Sequence, residues 1–185
     1  MLPLKIESTE FYDEATGEFH YVKPCTLQLE HSLISISKWE AKWHKPFIPN
    51  GNHDTRTTEE IFDYIKCMTL NSNVPDEVYK ALKANDIKKI KEYINDPMTA
   101  STVSKRGGSR GVIGRKYVTS ELIYYWMVQF NIPFECEKWH LNRLMMLIKI
   151  CDAENSDKKK MNPKEIARSN AALNAARRAK MHSKG

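Results

Sequence analysis

Apolar residues recur at helical spacing along most of this sequence and alternate only near its start, which restricts the chain to a mainly helical α+β fold. HSLISISKWEAKWH (31–44) places Leu33, Ile36, Trp39 (or Glu40) and Trp43 on one side of a helix. Thr57 followed three residues later by Glu60 is a capping box, and IFDYIKCM then supplies an apolar face. VPDEVYKAL (74–82) has Pro75 suited to a first helical turn. NDIKKIKEYI (85–94) has Asn85 as its expected cap, Ile87, Ile90 and Ile94 on one side, and NDP at 95–97 as a stop. TSELIYYWMVQF (119–130) is apolar around most of its circumference and is expected to be buried centrally. After only Ile-Pro comes ECEKWHLNRLMMLIKIC (135–151), so the two should form a tight antiparallel pair.

Near the start the period changes. EFYDEATGEFHYV (10–22) reads as a β-hairpin turning at Ala15-Thr16-Gly17, and TLQLE (26–30) alternates as a third short strand would. The expected architecture is a compact helical bundle with a small N-terminal β-hairpin or three-strand element and a separate basic C-terminal helix. Its expected divisions are a globular domain over 1–153, a linker over 154–162 and a basic helix or tail over 163–185. Asn162-Pro-Lys-Glu165 is a strong start signal for that last helix.

Charge follows the same division. From Lys158 onward there are nine Lys/Arg and one acid, Glu165, leaving 20 basic and 22 acidic groups in the rest of the chain. The basic balance therefore belongs to the tail, and whole-chain charge does not argue for a basic face on the body. No apolar run approaches the roughly 20 residues of a membrane span, and MLPLKIESTEFYDE lacks a signal-peptide pattern. A soluble, intracellular protein is expected. The scattered Cys25, Cys67, Cys136 and Cys151 form no CxxC and read as structural thiols, with Cys67 and Cys151 on buried helix faces.

The stretch RGGSRGVIGRK (106–116) invites a phosphate-binding reading. It lacks G-x-x-x-x-G-K-[ST], because no glycine lies five residues before a Gly-Lys pair and no Ser or Thr follows the lysine. It lacks G-x-G-x-x-G as well, and Gly111-Val-Ile-Gly114 is a bare GxxG without the flanking elements of an RNA-binding module. A surface connection between helices explains it. There is no GxSxG elbow, and no pair of histidines has HExxH or another metal-ligand spacing. No enzyme, cofactor or metal site is expected. The repeated Trp43-His44 and Trp139-His140 pairs have an ordinary explanation, in which Trp anchors a core and the adjacent His turns to a hydrogen bond.

The C-terminal segment MNPKEIARSNAALNAARRAKMHSKG has high helix propensity and a shallow apolar stripe, too little to hold it down without a partner. An acidic protein helix would accept its alanine face and the Arg177/Arg178 pair; nucleic acid would accept its charge alone.

TLQLEHSLISISKWEAKWHKPF, EEIFDYIKCMT, FECEKWHLNRLMMLIKIC and ALNAARRAKMHSKG together resemble the tail assembly chaperones of long-tailed bacteriophages infecting Gram-positive bacteria. The resemblance implies a largely helical, non-catalytic protein that binds the tape measure protein, recruits tail-tube subunits in the host cytoplasm, and leaves before the virion is finished. Homo-oligomers are compatible with it. Met127, Met145 and Met146 would supply compliant contacts if exposed. The residues expected to meet a partner are Trp39, Trp43, Trp139, His140 and Arg143 on the body, and Arg168, Leu173, Arg177, Arg178 and Lys180 on the tail. Two alternatives stand beside it. One is a nucleic-acid-binding protein using Arg106, Arg110, Arg115, Lys116 and the tail; the other is a structural component of the virion, such as a connector.

Overall fold

The chain begins as an antiparallel ribbon. The computed structural model describes residues 1–14, 17–49, 56–101, 117–157 and 163–181. Strand β1 (Leu2–Ile6) pairs with β4 (Cys25–Leu29), and β2 (Thr9–Asp13) pairs with β3 (Glu18–Val22). The offset that sets Leu2 opposite Leu29 also sets Thr9 opposite Val22, so both pairs keep one register. The ladder breaks near Pro24, which has no backbone N–H to donate. The hairpin was expected. The three-strand arrangement is corrected: among the described residues the TLQLE strand pairs with the unanticipated β1, and no third full strand joins the hairpin. A single bridge, Leu29 to Thr69, extends the β4 edge, where the Leu70 N–H donates to the Gln28 carbonyl at 2.8 Å.

The β1–β4 half of the ribbon packs more deeply than the hairpin, in which Val22 is the buried residue. Alternation puts Leu4, Ile6, Leu27 and Leu29 on one buried face, where they meet the helices. Helix α1 (Leu33–Trp43) follows the ribbon at once, capped by Ser32, and buries Leu33, Ile36, Trp39 and Glu40 on the predicted stripe. Its β-branched residues are tolerated because packing outweighs their small propensity cost. Helix α2 (Thr58–Met68) has the predicted box: the Glu60 N–H donates to Thr57 Oγ1 at 3.2 Å, and the Thr57 N–H donates to Glu60 Oε2 at 2.9 Å.

Helix α3 (Asp76–Lys80) is one short turn, with Pro75 just outside it. Helix α4 (Ala84–Asn95) ends at the NDP stop but starts earlier than expected: Lys83 is at the N-cap, its N–H donating to Asp86 Oδ2 at 3.1 Å, and Asn85 lies inside the helix. Helix α5 (Ser120–Gln129) differs more. It buries Ser120, Ile123 and Met127 and leaves Tyr125 and Val128 exposed, so it is a one-sided helix and not a central one. Between it and α6 (Leu141–Asp157) lies a 3-10 turn, Phe134–Lys138, that interrupts the expected helix pair. Residues 154–157, read as linker, continue α6.

The chain divides into two units, Met1–Ile150 and Cys151–Gly185. The second contains α7 (Pro163–Met181), which begins at the proline expected to open it. Cys136 is the buried thiol; Cys67 and Cys151 are half-buried, contrary to expectation. Among the described residues, no helix is long and apolar enough to cross a membrane.

Candidate functional site

The residues singled out for partner contact sit at very different depths. Trp39 is 1% exposed and belongs to the core. Its ring lies against Trp43 and Phe47, and its indole N–H donates to the Glu60 carbonyl at 2.9 Å. Trp43 is half-buried, its N–H donating to Asp63 Oδ2 at 2.9 Å while Lys42 bonds the other carboxylate oxygen. Both tryptophans therefore clamp α1 to α2. The second Trp-His pair inverts the expected pattern: His140 is buried and Trp139 is the half-exposed member, with the exposed Arg143 guanidinium 4.4 Å from its ring centre. Trp39 and His140 are thus removed from the surface set, while Trp139 and Arg143 stay in it. Met127 is core; Met145 and Met146 are half-buried.

On α7, Arg168, Leu173 and Arg177 are exposed, and Arg178 and Lys180 lie within the helix. Arg106, Arg110, Arg115 and Lys116 fall outside the described residues.

His140 is part of a buried aromatic cluster. Its Nε2–H donates to the Tyr93 carbonyl at 3.0 Å and its Nδ1 accepts the Asn142 N–H at 3.3 Å, which fixes one neutral tautomer. The His31 ring lies edge-on to it with centroids 5.1 Å apart, and His31 Nδ1 shares a hydrogen bond with the Tyr64 hydroxyl. Burial, then His140 and Arg56, push the His31 pKa down to about 3. Burial also lowers that of His140. None of these groups lines the cavities described below, and the cluster satisfies itself.

It has a consequence for stability. His31 binds its proton more weakly folded than unfolded, so stability is complete above the ordinary histidine pKa and falls as pH drops towards about 3. Between pH 7.5 and pH 5 the expected loss from this one group is about 2 kcal/mol. Urea denaturation at the two pH values checks it. His31→Gln should flatten the difference, and an unchanged slope in that variant would assign the effect elsewhere.

The accessible concave surface lies between α2 and α4. It is an open groove of about 1140 Å³, with Ile61 and Phe62 on one side and Leu82 and Ile87 on the other. These four are half-buried, while Lys88, Lys91 and Glu92 at the rim are exposed. Helix α2 presents Ile61 and Phe62 here while Tyr64, Ile65 and Met68 face the core. On α4, Ile90 and Tyr93 are buried and Ile87 is left over, because a helix stripe wider than its core contact must expose its margin. A smaller cavity of about 510 Å³ lies beside β3 and β4, bordered by Tyr21, Cys25 and Asn71.

No family model, curated protein or solved structure matches the chain.

The groove was not legible as a site. Ile61, Phe62 and Ile87 read from sequence as ordinary core positions, and only the lysines between the isoleucines of α4 hinted at a wet margin. Its chemistry is apolar contact edged by charges of both signs, with Lys88 4.0 Å from Glu92, and it fits the apolar face of an amphipathic helix. Among the described residues, no group of three or more His, Cys, Asp or Glu side chains is placed to hold a metal ion.

Proposed function

We propose that this chain is a non-catalytic assembly chaperone of a long-tailed bacteriophage, holding a segment of the tape measure protein while tail-tube subunits are recruited. The α2–α4 groove carries the reading: an aggregation-prone helical client needs its apolar stripe covered, and Ile61, Phe62, Leu82 and Ile87 offer a matching strip. The mixed rim, Lys91 beside the Lys88–Glu92 pair, would favour a client helix whose flanks carry complementary charges. In this reading the helices of the first unit act as one bundle, and α7 makes a second contact with the client through Arg168, Leu173, Arg177, Arg178 and Lys180. The protein works in the cytoplasm of the infected host and is missing from finished particles; its detection there by mass spectrometry would make it a structural component such as a connector.

Co-expression with the tape measure protein tests this. The client should be soluble with the wild-type chain and aggregate with Ile61→Asp/Ile87→Asp, whose client affinity should fall about tenfold or more. Both positions are half-buried at the groove, so circular dichroism should stay as wild type. Unchanged client solubility with and without the chain defeats the proposal. If α7-dependent DNA or RNA binding with a steep salt slope appears in its place, the nucleic-acid reading wins.

A further inference from the structure

The β2–β3 hairpin carries a surface that the groove does not explain. Its two faces differ sharply. On one, Phe11 stacks on His20 with ring centres 5.6 Å apart, Lys80 pairs with Asp13, and Val22 is buried, so this face is tied to the body. On the other, Tyr12, Phe19 and Tyr21 are 53%, 71% and 65% exposed, although residues of this size normally bury most of their area. Tyr12 lies opposite Phe19 with ring centres 5.1 Å apart, and Glu10 lies opposite Tyr21. Three large rings on one side of a two-stranded ribbon are an exposed apolar patch, and such patches mark contact surfaces.

Charge identifies the occupant. From Glu7 to Val22 the sequence has five carboxylates and no lysine or arginine. Asp13 is neutralised by Lys80, whereas the exposed Glu10 shares the outer face with the rings, opposite Tyr21. Glu14 and Glu18 are exposed at the hairpin end, Glu18 on the body-facing side opposite Asp13, and Lys23 stands at the foot of the strand. An anionic surface repels nucleic acid and anionic membranes. Aromatic faces beside carboxylates suit the guanidinium group, which stacks flat on a ring while its N–H groups reach a carboxylate; a compact ammonium gains less from that arrangement. Phe19 and Tyr21 are two residues apart on one strand, about 7 Å, which is the repeat of same-side residues in an extended peptide. We propose that the outer face of β2–β3 docks an extended, arginine-rich segment of another polypeptide, with arginines at alternate positions over Phe19 and Tyr21. This is independent of the groove and of its client.

Fluorescence anisotropy with the full chain and a labelled Gly-Arg-Ser-Arg-Ser-Arg-Gly peptide tests it, with the lysine version as comparison. Saturable binding of the arginine peptide, several-fold tighter than the lysine peptide, is expected. Tyr12→Ser/Phe19→Ser should weaken it about tenfold or more. Because losing the ring pair could loosen the hairpin, Glu10→Gln provides a second variant that keeps every ring, and it should weaken binding several-fold. No saturable binding, equal affinity for both peptides, or indifference to both variants overturns the proposal. Concentration-dependent dimerisation abolished by Phe19→Ser, with no peptide binding, also overturns it by making the face a contact between copies.

Discussion

Trp39→Ala is expected to destabilise the chain by about 4 kcal/mol, near the upper part of the range for removing a large buried aromatic. The indole is 1% exposed and fills the space between α1 and α2. Three contacts vanish together: the stacked Trp43 ring at 6.2 Å, the edge of Phe47 at 5.3 Å, and the N–H to the Glu60 carbonyl at 2.9 Å. Relaxation around the void is limited, because the same neighbours are already held. Trp43 is fixed by Asp63, and Glu60 by Thr57 and by Lys45 at 2.6 Å. Trp39→Phe should cost less than half as much, since it keeps a ring, and the Glu60 carbonyl lies in the first turn of α2, where the helix itself can use it. Urea denaturation followed by circular dichroism measures both. Trp139→Ala is the internal control: half-exposed beside Arg143, it should cost about 1 kcal/mol or less. Equal losses at positions 39 and 139 would contradict the assignment of one to core and the other to surface.

The contrast between those two tryptophans marks what a sequence can and cannot disclose. Signals within one turn were readable. The Thr57–Glu60 box, the Leu33/Ile36/Trp39 stripe, the NDP stop and Pro163 as a helix opener depend only on neighbours three or four residues away. Depth was not readable, because it depends on what arrives from elsewhere. Trp139-His140 has the same dipeptide as Trp43-His44, yet the bridge from His140 to Ser32 draws the imidazole inward and leaves the indole at the surface. Helix α5 has apolar residues on nearly every side, but only the Ile123–Met127 stripe meets the core. Strand β1 escaped notice because five residues with one proline alternate too briefly to stand out, and their partner lies over twenty residues away. The groove is the same case: half-covered isoleucines look like core isoleucines until the packing around them is known.

Glu40 is where sequence was least informative and where a small change should do most harm. Its place on the apolar side of α1 hints at burial, but nothing local names its partners; it is 8% exposed and ties three segments. Its Oε1 accepts the Phe47 N–H at 2.8 Å, and its Oε2 accepts the Ser120 N–H at 2.7 Å from eighty residues along the chain. Ser120 is the first residue of α5, so the carboxylate also meets the positive end of that helix. Glu40→Ala would leave two buried amides without an acceptor and is expected to cost about 3 kcal/mol or more. Glu40→Gln should lose most of this as well. Its amide keeps one accepting oxygen, while its NH2 group would face an amide that also donates. Hydrogen exchange at Phe47 and Ser120, alongside urea denaturation, checks the mechanism separately from the magnitude. Both amides should lose protection together in Glu40→Ala, whereas Glu59→Ala on the exposed side of α2 should change neither. If protection falls at only one of the two amides, the segments are held independently, and Glu40 is not the shared anchor that joins α5 to the end of α1.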